Sequence, residues 1–405
     1  MRDLQQLRDL QSATGQALLD RIRAHDQHAD TLTRTAAKLR TQFPPDLVAA
    51  ALTLHELRTR ARGKLGRADE WWLTRDGLEQ STSEVIAIWR ARRYRDLRNV
   101  ADLCCGIGGD LIALAERSPN GKVLAVDRDP LHLALAEANA RVRGVRDRTT
   151  FREADVREVD LAEIDGVFID PARRTGPDRL AVGQSEPPLE WCIALAERVT
   201  HAGIKAAPGI PHHLVPAGWE LEMIGIGADL KEAVLWSPAM ARATTSATVF
   251  RGDGAYHLEP IPGDPVAVRA PEAGEFLVDP NPAITRAGLV EDLARLTGGA
   301  KLDNRLAFLV SATEVDTPFA RTLPILTSQP WNERQIRSRL RELDAGPVDV
   351  RRRGLAGDVD AIAKRLRGKG PRPLTVAMTR VEDRPWGLSC EDRERELRAG
   401  GRNTH

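Results

Sequence analysis

The sequence predicts an α/β fold: a parallel sheet with helices on both faces, a helical module before it and a small α+β domain after it. Three observations carry this. From Val100 onward, short apolar runs alternate with amphipathic stretches, the signature of strand–helix–strand units. Up to about Leu97, apolar residues instead recur at helical spacing. A Pro- and Gly-rich stretch, roughly Leu258 to Gly274, separates a last region of mixed helix and strand signals. The boundaries follow as residues 1–97, 98–257 and 275–390, with a charged, Gly-containing tail at 391–405 predicted to be flexible.

In the first module, DLVAAALTLHELRTRARGKL carries the helical spacing, and Pro44 and Pro45 sit where a helix can begin. The sheet strands are NVADLCC, KVLAV, TTFREA, GVFID and GIKAAPG. GDLIALAER and PLHLALAEANARVRG are helices between them. WELEMIGI, KEAVLWSP and ATTSATVFRG are strand-like with no helix between the last two, which predicts an antiparallel hairpin at the sheet edge. In the last region PAITRAGLVEDLARL, NERQIRSRLREL and DVDAIAKRLRG read as helices, PVDVRRRG and PLTVAMTRV as strands.

With 59 Lys plus Arg against 58 Asp plus Glu, the chain has no global charge to draw nucleic acid or a membrane, so any basic surface is local. The four cysteines, Cys104, Cys105, Cys192 and Cys390, are too few and too badly spaced for a disulfide framework or a tetrahedral metal site, which fits a reducing, cytoplasmic setting. The first residues lack an apolar signal core and no run of ~18 apolar residues occurs, so no membrane segment is expected. His212 and His213 have no third ligand spaced with them and read as a surface loop.

VADLCCGIGGDLIAL runs a strand through Gly106, Gly108 and Gly109 into a helix. Glycine lets the backbone turn sharply and approach a ligand, and the helix start offers free N–H groups. Such loops are common and often only redirect the chain. The next strand ends in Asp127, 25 residues after Asp102, where a carboxylate can accept hydrogen bonds from ribose hydroxyls. NAD and S-adenosylmethionine both suit that feature. GIGGD lacks the third glycine of the dinucleotide fingerprint, and Asp102 is badly placed beside a pyrophosphate but well placed beside a methionine amino group; capping of the turn is its plainer role. Asp155, in EADVRE, stands where an acid meets an adenine amino group, or is a turn former. GVFIDPARR delivers Asp170, Pro171, Arg173 and Arg174 at the carboxyl edge of the sheet, where ligands of open α/β sheets bind.

This ordered series resembles the successive motifs of class I S-adenosylmethionine-dependent methyltransferases. More narrowly, KLGRADEWWLTRDGLEQSTSEVIAIWRARR, IDPARR and GIKAAPGI resemble the bacterial branch with a C-terminal THUMP-like domain, and the likeness continues through LVDPNPAITRAGLVEDLA, LAFLVS and VDVRRRG. It runs from about Pro44 to about Gly387. The resemblance implies a Rossmann-like class I methyltransferase sheet, S-adenosylmethionine as cofactor, methyl transfer as activity and RNA as substrate, with no agreed target nucleotide.

In related enzymes an acid or amide followed by Pro-Pro-aromatic holds an exocyclic amine and stacks the base. Here Ala172 and Arg173 follow Pro171, which argues against adenine-N6-type recognition; Arg173 can instead stack on a base or clamp a phosphate. DPAR also resembles the DPPR of uridine-C5 methyltransferases, which attack with a cysteine, yet no cysteine is suitably placed: two lie in the glycine loop and Cys192 falls in the helix PPLEWCIALAERV. Cys104 reads as a small residue whose backbone nears the cofactor. Direct transfer to nitrogen or oxygen is therefore expected, with Asp170 orienting or deprotonating the acceptor and Arg173 and Arg174 holding substrate; Arg174 also fits a surface ion pair. Glu79 and Gln80 lie on a segment that can cross the cofactor pocket, as cofactor contacts or as helix caps, while Trp71 and Trp72 read as packing ahead of base stacking.

Arginines concentrate between Arg334 and Arg372. On the helix, Ile336, Leu340 and Leu343 make an apolar stripe while Arg334, Arg337 and Arg341 share another face; Arg351, Arg352 and Arg353 cluster at a strand end, and Arg365 follows. These seven residues are the expected contacts to RNA phosphates, against the ordinary alternative of a solvated face. The rival functions are a methyltransferase acting on a small molecule or protein, and a protein that binds S-adenosylmethionine or RNA without chemistry.

Overall fold

The architecture is that of a computed structural model, which describes residues 1, 3–24, 36–172, 174–175, 178–179 and 185–393. It divides into two compact units: Met1–Trp219 with Val234–Arg242, and Glu220–Ala233 with Ala243–His405.

The first unit begins with helices α1 (Leu4–Gln11), α2 (Ala13–Ala24) and α3 (Pro45–Ala61). Pro45 occupies the first turn of α3, where its missing N–H costs nothing. Short helices α4 (Arg75–Gln80) and α5 (Glu84–Ala91) lead to the sheet. Its parallel strands are β1 (Asn99–Leu103), β2 (Lys122–Asp127), β3 (Thr149–Glu153), β4 (Gly166–Ile169) and β5 (His201–Ala206). They lie in the order β5-β4-β1-β2-β3. The order reverses between β1 and β4, the switch point outside which ligands of such sheets bind. Helices α6 (Gly109–Glu116), α7 (Pro130–Val142) and α8 (Leu189–Leu195) fall between strands. The central strands are buried along their length, as the apolar runs VADL and GVFI require. Asp129 caps α7 by accepting from the amides of Leu131 and His132, with Pro130 behind it.

The second unit opens with β6 (Glu220–Ile226), and the turn at Gly227, with φ +57°, leads into β7 (Asp229–Trp236), whose end returns to the first unit beside β5. Then come β8 (Thr245–Arg251) and β9 (Gly254–Leu258). The predicted edge hairpin exists one strand later than expected: β8 runs parallel to β6, and it is β8 and β9 that form the antiparallel pair, because Gly252 at φ +57° supplies the tight turn.

Beyond residues 259–275, a seven-stranded sheet has the order β11-β12-β10-β13-β16-β15-β14, from β10 (Phe276–Pro280), β11 (Ala300–Lys301), β12 (Leu309–Ser311), β13 (Ala320–Pro330), β14 (Ala345–Arg352), β15 (Arg372–Val381) and β16 (Arg384–Glu391). The predicted helix PAITRAGLVEDLARL is two, α9 (Pro282–Ala287) and α10 (Val290–Thr297), because Gly288 at φ +79° ends the first. Helices α11 (Glu333–Glu342) and α12 (Val359–Leu366) pack Ile336, Leu340, Ile362 and Leu366 against Val350 and Val376 of the sheet. β16 went unpredicted, since Pro385 and Gly387 interrupt its pattern; it brings Glu391 into the sheet and leaves Asp392 buried, accepting from Thr375 and Arg321. The flexible tail therefore does not begin at 391, and residues 394–405 lie outside the described residues. No helix among the described residues is long and apolar enough to cross a membrane.

Candidate active site

Five strand ends converge on one cavity of about 460 Å³. β1 contributes Asp102 and the turn after it, β2 Asp127, the loop after β3 Asp155, the end of β4 Asp170 and β5 Lys205. The end of α4 and the residues after it line the cavity with Glu79, Gln80, Ser81 and Thr82, and Glu79 and Gln80 are exposed.

The glycine turn is shaped by backbone requirements. Gly106 has φ +54°, and a Cβ added there would meet nothing within 4 Å, so the turn presents bare backbone to open space. Gly108 does not line the cavity; with φ +91°, it lets α7 approach, its Cβ position standing 3.3 Å from Ala136 Cα. Cys104 holds φ +64° without being glycine, a strained conformation costing ~1–3 kcal/mol, and lines the cavity. Asn139 on α7 clamps the turn from behind. It accepts from the Trp72 amide at 2.7 Å and donates to the carbonyls of Trp72 at 3.1 Å and Ile107 at 2.9 Å. Trp71 and Trp72 are buried, as packing residues.

Asp127 accepts from the Gly106 amide through Oδ2 at 2.8 Å and from the Asp129 amide through Oδ1 at 2.9 Å. Asp102 is fully buried, and neither of its carboxylate oxygens has a hydrogen-bond partner among the described residues. Burial, reinforced by the charges of Asp110 and Asp170, pushes its carboxyl well above the ordinary range. An orphaned buried acid beside a bare glycine turn fits a ligand that carries an ammonium group, so the S-adenosylmethionine expected from the sequence suits these residues. Asp155 is less free than the sequence suggested: Arg157 takes both its oxygens, at 2.9 and 2.7 Å, and holds its carboxyl down at about 2. Arg157 also reaches Glu186 at 2.8 Å.

At the β4 end, Asp170 Oδ2 lies 2.6 Å from Lys205 Nζ, and Lys205 also donates to Thr82 Oγ1 at 3.0 Å. Thr82 donates to Asp110 at 2.8 Å and accepts from Arg90 at 2.8 Å, while Arg90 pairs with Asp110 and stacks over Phe168. Sequence reasoning missed Thr82, Arg90, Asp110 and Lys205. The signal available was Lys205 in GIKAAPGI, a lysine at the end of a buried strand. Pro171 lines the cavity; Arg173 lies outside the described residues, and Arg174 is described by its backbone alone, in a short strand. The thiols are poor nucleophiles: burial pushes Cys104 and Cys105 far up and Cys192 to about 12. His212 and His213 are exposed, and no metal-binding cluster occurs among the described residues.

In the second unit the predicted basic surface is partly kept. Arg334, Arg337 and Arg341 project from the exposed face of α11, without an ion-pair partner among the described residues. Arg353 is a correction: it pairs with Asp279 at 2.9 Å, donates to the Pro280 carbonyl and stacks over Phe308, so it is an internal residue. Successive strand residues point to opposite faces, so Arg351, Arg352 and Arg353 cannot form one patch. Arg351 pairs with Asp349 at 3.1 Å, Arg352 donates to the Leu355 carbonyl, and Arg365 is held bidentately by Glu333 at 2.6 and 3.0 Å.

Comparison with known proteins agrees with this geometry. Residues 100–178 match a methyltransferase domain, residues 320–392 a THUMP domain-like family and residues 3–61 a domain of unknown function. An uncharacterized S-adenosylmethionine-dependent methyltransferase of Mycobacterium tuberculosis is 34% identical over 339 residues, covering 80% of this chain and 90% of the relative. A release factor glutamine methyltransferase of Geobacter sulfurreducens is 26% identical over 157 residues, 36% of this chain and 51% of that one. In fold, a candidate methyltransferase from Porphyromonas gingivalis W83 superposes with a TM-score of 0.68 over 86% of this chain and 92% of that one, at 19% identity.

Proposed function

Since the chain belongs to the S-adenosylmethionine-dependent methyltransferases, we propose that it transfers the methyl group directly to a nitrogen or oxygen of RNA, held by the THUMP-like domain. The observation that carries the RNA reading is the row Arg334, Arg337 and Arg341, three cations about one helical turn apart within the matched THUMP-like span and without an ion-pair partner among the described residues. Phosphate neutralisation needs such free charges, since arginines already paired with carboxylates contribute little.

When bound, S-adenosylmethionine supplies an electrophilic methyl group, whose carbon bonds the acceptor while the sulfur–carbon electron pair returns to sulfur. Asp102 would hold the ammonium end of the cofactor, Asp127 its ribose, and Asp155 with Arg157 its base end. Asp170 accepts a hydrogen bond from the acceptor and so aims its lone pair, the orientation that supplies much of the rate. No thiol takes part, because none ionises near neutrality. The enzyme acts in the cytoplasm, where all four cysteines remain thiols. A protein side-chain nitrogen is the second reading, favoured by the likeness to the release factor glutamine methyltransferase.

The test is transfer of radiolabelled methyl from S-adenosylmethionine into an extract of a strain lacking the gene. Label that nuclease releases supports RNA; label that only protease releases overturns it in favour of protein.

A further inference from the structure

We propose that Lys205 is a positioning residue for the acceptor: it holds Asp170 by one carboxylate oxygen, ties it to the segment that lines the cavity, and leaves the other oxygen to receive the acceptor's proton. The inference rests on the direct-transfer reading above, in which Asp170 meets the acceptor.

Lys205 stands at the end of β5, with 8% of its side chain exposed. A buried lysine of this kind is kept because its partners are fixed. Here they come from elements far apart in the chain, Asp170 after β4 and Thr82 before α5. The Thr82 hydroxyl is fully committed: its one hydrogen goes to Asp110 and its two lone pairs accept from Arg90 and Lys205. Thr82 therefore cannot turn to any other partner, and through it the ammonium of Lys205 is anchored to the buried Arg90–Asp110 pair. Asp170, 25% exposed, lines the cavity and is gripped at Oδ2 alone among the described contacts, which leaves its other oxygen free to accept from an N–H or O–H donor.

This arrangement has a chemical consequence. An ammonium 2.6 Å from Oδ2 fixes the carboxylate in place, so Asp170 works as an aligned acceptor that passes the displaced proton on to water. Two further groups interact electrostatically with Asp170, the Asp102 carboxyl from β1 and the Cys104 thiol.

The experiment compares wild type, Lys205→Met, Lys205→Arg and Asp170→Asn, by calorimetric titration with S-adenosylmethionine and by the rate of labelling of the gene-deleted extract. Lys205→Met is expected to lower kcat about a hundredfold, with cofactor affinity within about threefold of wild type, as loss of acceptor alignment requires. Lys205→Arg, keeping the charge and the grip on Asp170, recovers most of the rate even if it alters the melting temperature. In the Asp170→Asn background the same change costs no further rate. An unchanged kcat, no recovery of rate in Lys205→Arg, or an equal loss with and without Asp170 would overturn the proposal. Because the rate ratios are read on total label, they stand whether nuclease or protease releases it, so failure of the RNA reading and failure of the Lys205 proposal are separate results.

Discussion

Gly106 donates its amide to Asp127 Oδ2 at 2.8 Å, joining the glycine turn to the end of the next strand across 21 residues of chain. The carboxylate thus shapes the turn as well as lining the cavity. Asp127→Ala is expected to weaken S-adenosylmethionine binding about a hundredfold, the loss of two charge-assisted hydrogen bonds, with Asp127→Asn intermediate and NAD silent. Calorimetry checks this; undiminished binding to Asp127→Ala would place the cofactor elsewhere.

Asp102 gives a pH-dependent prediction whose sign is fixed by its burial. Its carboxyl in the folded chain lies well above the ordinary value of 3.8. Above that ordinary value the unfolded chain has shed the proton and the folded chain keeps it, so stability falls as pH rises toward the folded value. Asp102→Asn removes this loss. The variant without cofactor should melt higher than wild type at pH 8 and nearly equal to it at pH 4, while binding S-adenosylmethionine more weakly. A stability difference that does not grow with pH would show that Asp102 is not the titrating group.

Cys104 occupies the left-handed region with no chemistry to justify a thiol there. Cys104→Gly should therefore raise stability by ~1 kcal/mol in thermal melting and leave methyl transfer intact. Loss of activity with the cofactor still bound would restore the cysteine to a catalytic part.

The α11 arginines and Arg353 should separate cleanly. Arg334→Glu, Arg337→Glu and Arg341→Glu together are expected to weaken RNA binding and to lower the salt slope by about 2, with melting unchanged. Arg353→Ala instead loses a hydrogen-bonded ion pair and a ring contact and should cost ~2 kcal/mol of stability. Filter binding across a salt series, beside thermal melts, reads both; an unaltered slope in the triple variant would exclude α11 from the RNA surface.

What the sequence made legible follows strand chemistry. β1, β2, β4 and β5 are buried on both faces, so they appear as continuous apolar runs, and the acids they carry stand out at their carboxyl ends. Asp102, Asp127 and Asp170 were readable for that reason. Lys205 was not, because a lysine at a strand end reads as solvated and its partner Asp170 is 35 residues away. Arg353 misled for the same reason in reverse: three arginines in a row suggest a patch, while Asp279, 74 residues earlier, takes the last of them inward.

The interleaved division of the chain bears on how the protein is made. The first unit closes with Val234–Arg242, while Glu220–Ala233, synthesised earlier, belongs to the second. On the ribosome, β6 is therefore synthesised before its partner β8. Vectorial synthesis thus couples the two units in time. Neither can be removed, or inherited by another protein, through a single cut in the gene.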